Sequence, residues 1–178
     1  MDSDDHTQFL VRRCQRGERA AFEELFRRFQ PRLRYYVRRL DTVDGRADDI
    51  LQDVWVKVVH RIGSLKDPRA LVAWLYTIAR NEVYGKSRAR DPFVELTAEH
   101  MEHVSDDEPT FDDDEAGRIH AALDGLKAHH REILTLSFME DLSHQQIAEV
   151  LGIRDGTVKS RLFYAKQSLR RALEKGHE

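Results

Sequence analysis

The chain has a single cysteine, Cys14, and only four prolines among its 178 residues. One thiol excludes an internal disulfide. No apolar run reaches the roughly 18 residues of a membrane helix, so no membrane insertion is expected. The acidic opening, "MDSDDHTQFL", lacks the apolar core of a secretory signal, which gives the cytoplasm as the expected compartment. No stretch alternates at the period of a strand. No phosphate loop or nucleophile–base signature stands out. Nine histidines are present, among them His100, His103, His129 and His130. No cysteine or carboxylate set completes a metal site around them, so neither a metal nor a cofactor is expected.

The chain does carry charge, and it is segregated. The total is −3. Between Asp91 and Glu115 there are eleven acids and no Lys or Arg, so 29 basic residues face 21 acids elsewhere, a balance of +8. Net charge by segment is the informative quantity. The acidic stretch holds Pro92 and Pro109 and few large apolar residues, and it reads as a flexible linker. The expected organisation is an all-α chain of two small helical domains, residues 1–92 and 116–178, joined by the acidic linker 93–115.

In the first domain Phe22, Leu25, Phe26, Phe29, Leu33, Tyr36, Val37 and Leu40 recur at helical steps, with a kink or break expected at Pro31. Ile50, Leu51, Val54, Trp55, Val58, Val59 and Ile62 form a second stripe. Asp48, Asp49, Gln52, Asp53 and Lys57 fall on its polar side. A third helix begins after Pro68 and turns Leu71, Trp74, Leu75, Ile78 and Ala79 inward.

In the second domain helices are expected over 116–126, 128–138, 143–151 and 155–174. Ser143 and Gln146 have capping-box spacing. The break "LGIRDG" joins two helices through Gly152, with Ile147, Ala148, Leu151, Ile153, Val158, Leu162, Ala165 and Leu169 as a shared core. This is helix-turn-helix spacing, and an ordinary αα-corner shares it. The last helix carries Ser160, Phe163, Tyr164, Gln167 and Arg171 opposite its apolar side, flanked by Lys159 and Arg170. Aromatic and hydroxyl groups suit base edges and thymine methyls, and cations suit phosphates. Packing of Phe163 on a neighbouring helix is the alternative.

"QQIAEVLGI" and "GTVKSRLF" in this segment resemble region 4 of bacterial RNA polymerase sigma factors of the extracytoplasmic-function group. The resemblance extends backward in order. "ADDILQDVWVKV" resembles region 2.2, "DPRALVAWLYTIARN" regions 2.3 and 2.4, and "AAFEELFRRFQPRLRYYVRRL" the start of region 2. It implies a protein that binds core RNA polymerase, directs it to promoter DNA and helps open the duplex. It also implies control by an anti-sigma factor, and that the chemistry belongs to the polymerase, the protein being no enzyme itself.

The resemblance assigns candidate sites. Asp48, Asp49, Gln52 and Asp53 would dock on core polymerase; acids there could pair with basic partners, and Asp48 and Asp49 also suit a helix N-terminus. Arg80, Asn81, Lys86, Arg88 and Arg90 would hold the −10 strand, in a basic groove with Trp74 and Tyr76 available as stacking platforms. The apolar stripe equally places Trp74 in the core. Thr157, Lys159, Ser160, Arg161, Phe163, Tyr164 and Gln167 would meet the −35 element. Gly85 stands where the family often has Asp, which predicts a helix that is looser or ends differently. Tyr164 stands where many relatives have Arg, and Leu71 where Phe is frequent. Two other readings compete: a sigma mimic that sequesters an anti-sigma regulator, and a stand-alone helix-turn-helix regulator.

Overall fold

The computed structural model describes residues 3–41, 45–90 and 115–175. The acidic stretch 93–114 lies outside the described residues. Eight α-helices appear among those described: α1 Ser3–Gln15, α2 Arg19–Leu40, α3 Arg46–Arg61, α4 Leu71–Arg90, α5 Glu115–Asp124, α6 Ala128–Leu134, α7 His144–Leu151 and α8 Asp155–Lys175. Short 3₁₀ turns at Ile62–Ser64 and Pro68–Ala70 lead into α4, and a π-helical turn, Thr135–Met139, extends α6.

Helices α1 to α4 form the first unit. α2 buries Ala21, Leu25, Phe29, Leu33, Tyr36 and Val37 on one face. Of the kink or break expected at Pro31, the break does not occur; α2 runs through it as one helix. An interior proline costs about 3 kcal/mol. Phe29 and Leu33 flank it and are both essentially fully buried, at about 1.5–3 kcal/mol each, which matches or exceeds that cost. α3 starts at Gly45, whose φ of 77° is left-handed, and carries Asp48 and Asp49 in its first turn, where the helix dipole favours acids. Its Ala47, Ile50, Leu51, Val54 and Val58 are buried. α1 is pinned to the 3₁₀ turns by Gln15, whose amide donates to the carbonyls of Ile62 (3.0 Å) and Leu65 (2.8 Å). Cys14 is buried there, and loss of hydration pushes its thiol pKa up to about 11.

Helices α5 to α8 form the second unit around Leu123, Ile133, Leu134, Leu136, Ile147, Val150, Val158, Leu162 and Ala165. The Ser143 capping box is formed in both directions. Gly152 then turns the chain at φ 65°, a left-handed value that suits glycine. The two units pack on each other, α2 against α6 and α4 against α7. Gly85 does not end α4, which continues to Arg90.

Candidate nucleic-acid interface

Three surfaces correspond to the three expected sites, and the structure treats them differently. The last helix presents its expected face. Phe163 and Tyr164 are 58% and 59% exposed, and their rings meet edge to face at 5.5 Å. Phe163 therefore does not pack on a neighbouring helix. Lys159, Ser160 and Gln167 are exposed beside them, while Thr157 and Arg161 are half-buried at the edge. Ser160 donates to the carbonyl of Thr157 at 3.1 Å, and Lys159 stands 3.6 Å from Asp155. On the opposite side Val158, Leu162 and Ala165 enter the core. One amphipathic helix thus buries its apolar side and offers two aromatic rings and a cation to the outside, a shape and chemistry the major groove accepts.

The second surface lies on α2 and α3. Asp48, Asp49 and Gln52 are exposed and Asp53 half-exposed. Asp48 accepts from Arg34 at 3.0 Å, and Asp53 is held by Lys86 at 2.6 Å. Beside them runs a groove of about 520 Å³ lined by Phe26, Gln30, Leu51, Trp55, Val56, Val59 and His60, with Asp48 and Gln52 on its rim. Phe26 and Val59 belong to the apolar stripes read from the sequence, yet 43% and 55% of their surface stays exposed; Val56, outside those stripes, is 50% exposed. Phe26 packs on Trp55 with ring centroids 4.9 Å apart, and the Trp55 indole donates to Gln30. The stripes of α2 and α3 thus carry more apolar surface than the internal core consumes. An exposed apolar patch with a polar rim is the mark of an interaction site.

The third surface departs from expectation. Asn81 is exposed, but Arg80 is not an open cation. Its Nε donates to Glu132 Oε1 at 2.9 Å, and its guanidinium lies over the Tyr84 ring at 4.7 Å. Burial pulls its pKa down, and the combined pull of Glu132, Tyr84 and Tyr36 more than restores it. Tyr76 is not available as a stacking platform. It is fully buried and donates its hydroxyl to Glu140. Lys86 is engaged with Asp53, and the side chains of Arg88 and Arg90 lie outside the described residues. Trp74 is partly buried against the core.

Glu132 and Glu140 are the residues that sequence reasoning missed. Both are almost completely buried. Glu132 also accepts from the hydroxyls of Tyr36 (3.0 Å) and Tyr84 (3.2 Å). Glu140 takes Arg32 Nε at 2.9 Å on its carboxylate and Arg32 Nη2 at 2.6 Å on its carbonyl. Burial raises the Glu140 pKa above the usual carboxylate range, in spite of the opposing pull of Tyr76 and Arg32. Tyr36 and Tyr76 meet edge to face at 5.1 Å beneath this cluster.

Comparison with known proteins agrees with this geometry. Residues 25–92 match the family model "Sigma-70 region 2" and residues 116–174 match "Sigma-70, region 4". The chain is 30% identical to the RNA polymerase sigma-H factor of Pseudomonas aeruginosa, over 98% of this chain and 97% of that one. It is 32% identical to the ECF RNA polymerase sigma factor RpoE of Cereibacter sphaeroides, over 95% and 97%. Among solved structures, the sigma factor RpoE in complex with the anti-sigma factor NepR from Bartonella quintana aligns with a TM-score of 0.70 at 28% identity, covering 86% of this chain and 96% of that one. CnrH in complex with the cytosolic domain of CnrY aligns at 0.69 and 22% identity, over 95% and 97%, a likeness of fold. The two helical units, with a helix-turn-helix in the second, define a transcription initiation factor of the sigma-70 class. Within that class the chain belongs to the extracytoplasmic-function sigma factors, the group that serves core RNA polymerase at promoters.

Proposed function

We propose that the three surfaces divide the work of initiation between them. The α2–α3 groove takes the polymerase: Phe26, Trp55, Val56 and Val59 supply buried area on docking, and Asp48, Asp49, Gln52 and Asp53 supply charge and orientation at its edge. Arg80, Asn81, Lys86, Arg88 and Arg90 take the −10 strand. Asn81 pairs an amide donor and acceptor with a base edge, and the cations track phosphates. Thr157, Lys159, Ser160, Arg161, Phe163, Tyr164 and Gln167 take the −35 element. The working domains are residues 1–92 and 116–178, with 93–115 as the connection. The protein performs no catalysis itself, acts in the cytoplasm, and is held in check by an anti-sigma factor.

The observation that carries this reading is the outward face of α8, where two half-exposed aromatic rings sit beside a cation on a helix whose other side is core. A solvated helix face gains nothing from exposing Phe163 and Tyr164, whereas a groove-reading helix does. The test is reconstitution. Purified protein with core polymerase is expected to initiate at a defined promoter set in run-off transcription across the genome. A complex that forms with core polymerase but starts at no promoter sinks the reading.

A further inference from the structure

Helix α1 precedes the segment 25–92 that matches region 2. It buries Leu10, Val11 and Cys14, and it packs on both 3₁₀ turns of the α3–α4 connection. One polar side chain of α1 reaches into that connection. The Gln15 amide donates to the Ile62 carbonyl at 3.0 Å and to the Leu65 carbonyl at 2.8 Å. These bonds span 47 and 50 residues of sequence, so they are tertiary constraints and not part of the turn itself. The last carbonyls of a helix lack partners within it. Ile62 caps α3, and its carbonyl also takes the Leu65 amide at 3.1 Å.

Two more bonds stiffen the same connection. Ser64 donates to the Arg61 carbonyl at 2.7 Å. Asp67 caps the Pro68–Ala70 turn by accepting from the Arg69 amide at 3.0 Å. Helix α4 starts directly after that turn, at Leu71. The setting of the connection is therefore the starting angle of α4.

The outer stripe of α4 depends on that angle. At about 100° per residue, Trp74, Thr77, Asn81 and Gly85 fall within roughly 80° of arc. Asn81 and Gly85 are exposed and Trp74 and Thr77 half-exposed, while Leu71, Leu75, Ala79 and Val83 enter the core. None of the four carries a charge, in a chain that is 34% charged. An uncharged face suits bases rather than phosphates. Thr77 turns its hydroxyl back to the Ala73 carbonyl at 2.8 Å, so the outward amide of the stripe is that of Asn81.

Small rotations matter at this distance from the axis. Side chains stand about 5 Å out, so a turn of about 10° moves them by about 1 Å. A hydrogen bond tolerates only a few tenths of an ångström, and about 1 Å of misplacement transmitted from a distance degrades a site. Apolar packing of α4 is non-directional. The two bonds from Gln15 are directional, and they supply an angular constraint that the core does not.

We propose that Gln15 is a positioning residue for −10 recognition: by holding the carbonyls of Ile62 and Leu65 it sets the rotation of α4 and aims Asn81 at a base edge. The inference rests on the assignment of Asn81 to the −10 strand. A helix outside the region 2 match thereby takes part in base reading without touching DNA.

Holoenzyme on a promoter recovered by run-off mapping tests this. The readout is base discrimination, the ratio of initiation rates on the native −10 sequence and on single-base substitutions of it. A merely structural loss lowers both rates together and leaves the ratio unchanged. N81A is expected to lower the ratio at one −10 position about fivefold, the size of one neutral hydrogen bond. Gln15 is exposed, so replacing it leaves the core intact. Q15L, which keeps the bulk and lacks the donors, is expected to lower the ratio at the same position by about as much, and Q15L/N81A to go no further than N81A alone. Q15K keeps a donor at similar reach and is expected to recover most of the ratio. Hydrogen exchange of the free chain reads the pin itself: the Leu65 amide is expected to exchange faster in Q15L than in wild type. With N81A active, a Q15L holoenzyme that discriminates like wild type, losses that add in the double variant, or unchanged exchange at Leu65 each overturn the proposal alone. If N81A changes no −10 preference, the base-reading assignment of Asn81 fails, and the positioning role of Gln15 fails with it.

Discussion

Lys86 on α4 and Asp53 on α3 form an ion pair at 2.6 Å. This joins a cation assigned to the −10 strand to an acid assigned to polymerase docking, so the two surfaces of the first unit share a strut. Both side chains are partly exposed, and such pairs contribute up to about 1 kcal/mol. A double-mutant cycle of Lys86→Met and Asp53→Asn by urea denaturation is expected to give a coupling below about 1 kcal/mol. Promoter opening by the reconstituted holoenzyme is expected to fall further in Lys86→Met than stability does. Equal losses in both would reduce Lys86 to a structural role.

Val59 separates docking from folding. More than half of its surface is exposed in the α2–α3 groove. Val59→Asp is expected to change folding stability by no more than about 0.5 kcal/mol, as exposed substitutions do. Its affinity for core polymerase is expected to drop at least tenfold, about 1.4 kcal/mol, because a charge is buried without a partner. Surface plasmon resonance with immobilised core polymerase checks this, and unchanged affinity removes the groove from the interface.

The ring of Tyr164 is exposed on α8. Tyr164→Arg is expected to add one phosphate or guanine contact. A new phosphate contact would steepen the dependence of log Kobs on log salt by about 0.9 for duplex −35 DNA. Holoenzyme titrations at several salt concentrations measure the slope. A changed base preference without a changed slope assigns the position to base reading instead.

Gly85 lies inside α4 with open space around it and no left-handed φ. Gly85→Ala is expected to stabilise the first unit by about 0.5–1 kcal/mol. Thermal unfolding checks it; a loss of stability would mean that the position needs glycine.

The raised pKa of Glu140 gives a signed pH effect. Its carboxyl holds a proton more tightly in the folded chain than in the unfolded one. Its contribution is therefore fully present below the ordinary carboxylate value of 4.5 and is lost as pH rises through the raised value. The melting temperature of wild type minus that of Glu140→Gln is expected to grow as pH falls from 7 toward 4.5. A difference that is flat across that window contradicts it.

Much of this was legible because it is local. The α3 stripe, the Ser143 capping box, the Gly152 turn and the two faces of α8 all follow from spacing within one or two helices. No break forms at Pro31, because burial of Phe29 and Leu33 is a tertiary quantity that overrides a local rule. The cradles around Glu132 and Glu140 were invisible for the same reason at greater range. Tyr36 pairs with a residue 96 positions away and Tyr76 with one 64 positions away, and no periodicity encodes such partners. Two glutamates in the apolar setting of α6 and its π turn were the only local hint, since a buried acid requires a partner. The acid that covers Arg80 was invisible too: a basic residue in a basic segment reads as solvent-facing until that acid is placed.

Cys14 carries one more consequence. With its thiol at about 11 and its side chain sealed under α1, less than about one molecule in a thousand is a thiolate at neutral pH. Its one thiol is thus a poor target for oxidants. The same silence makes the native chain a clean background for thiol labelling, in which a cysteine introduced on either unit reacts alone.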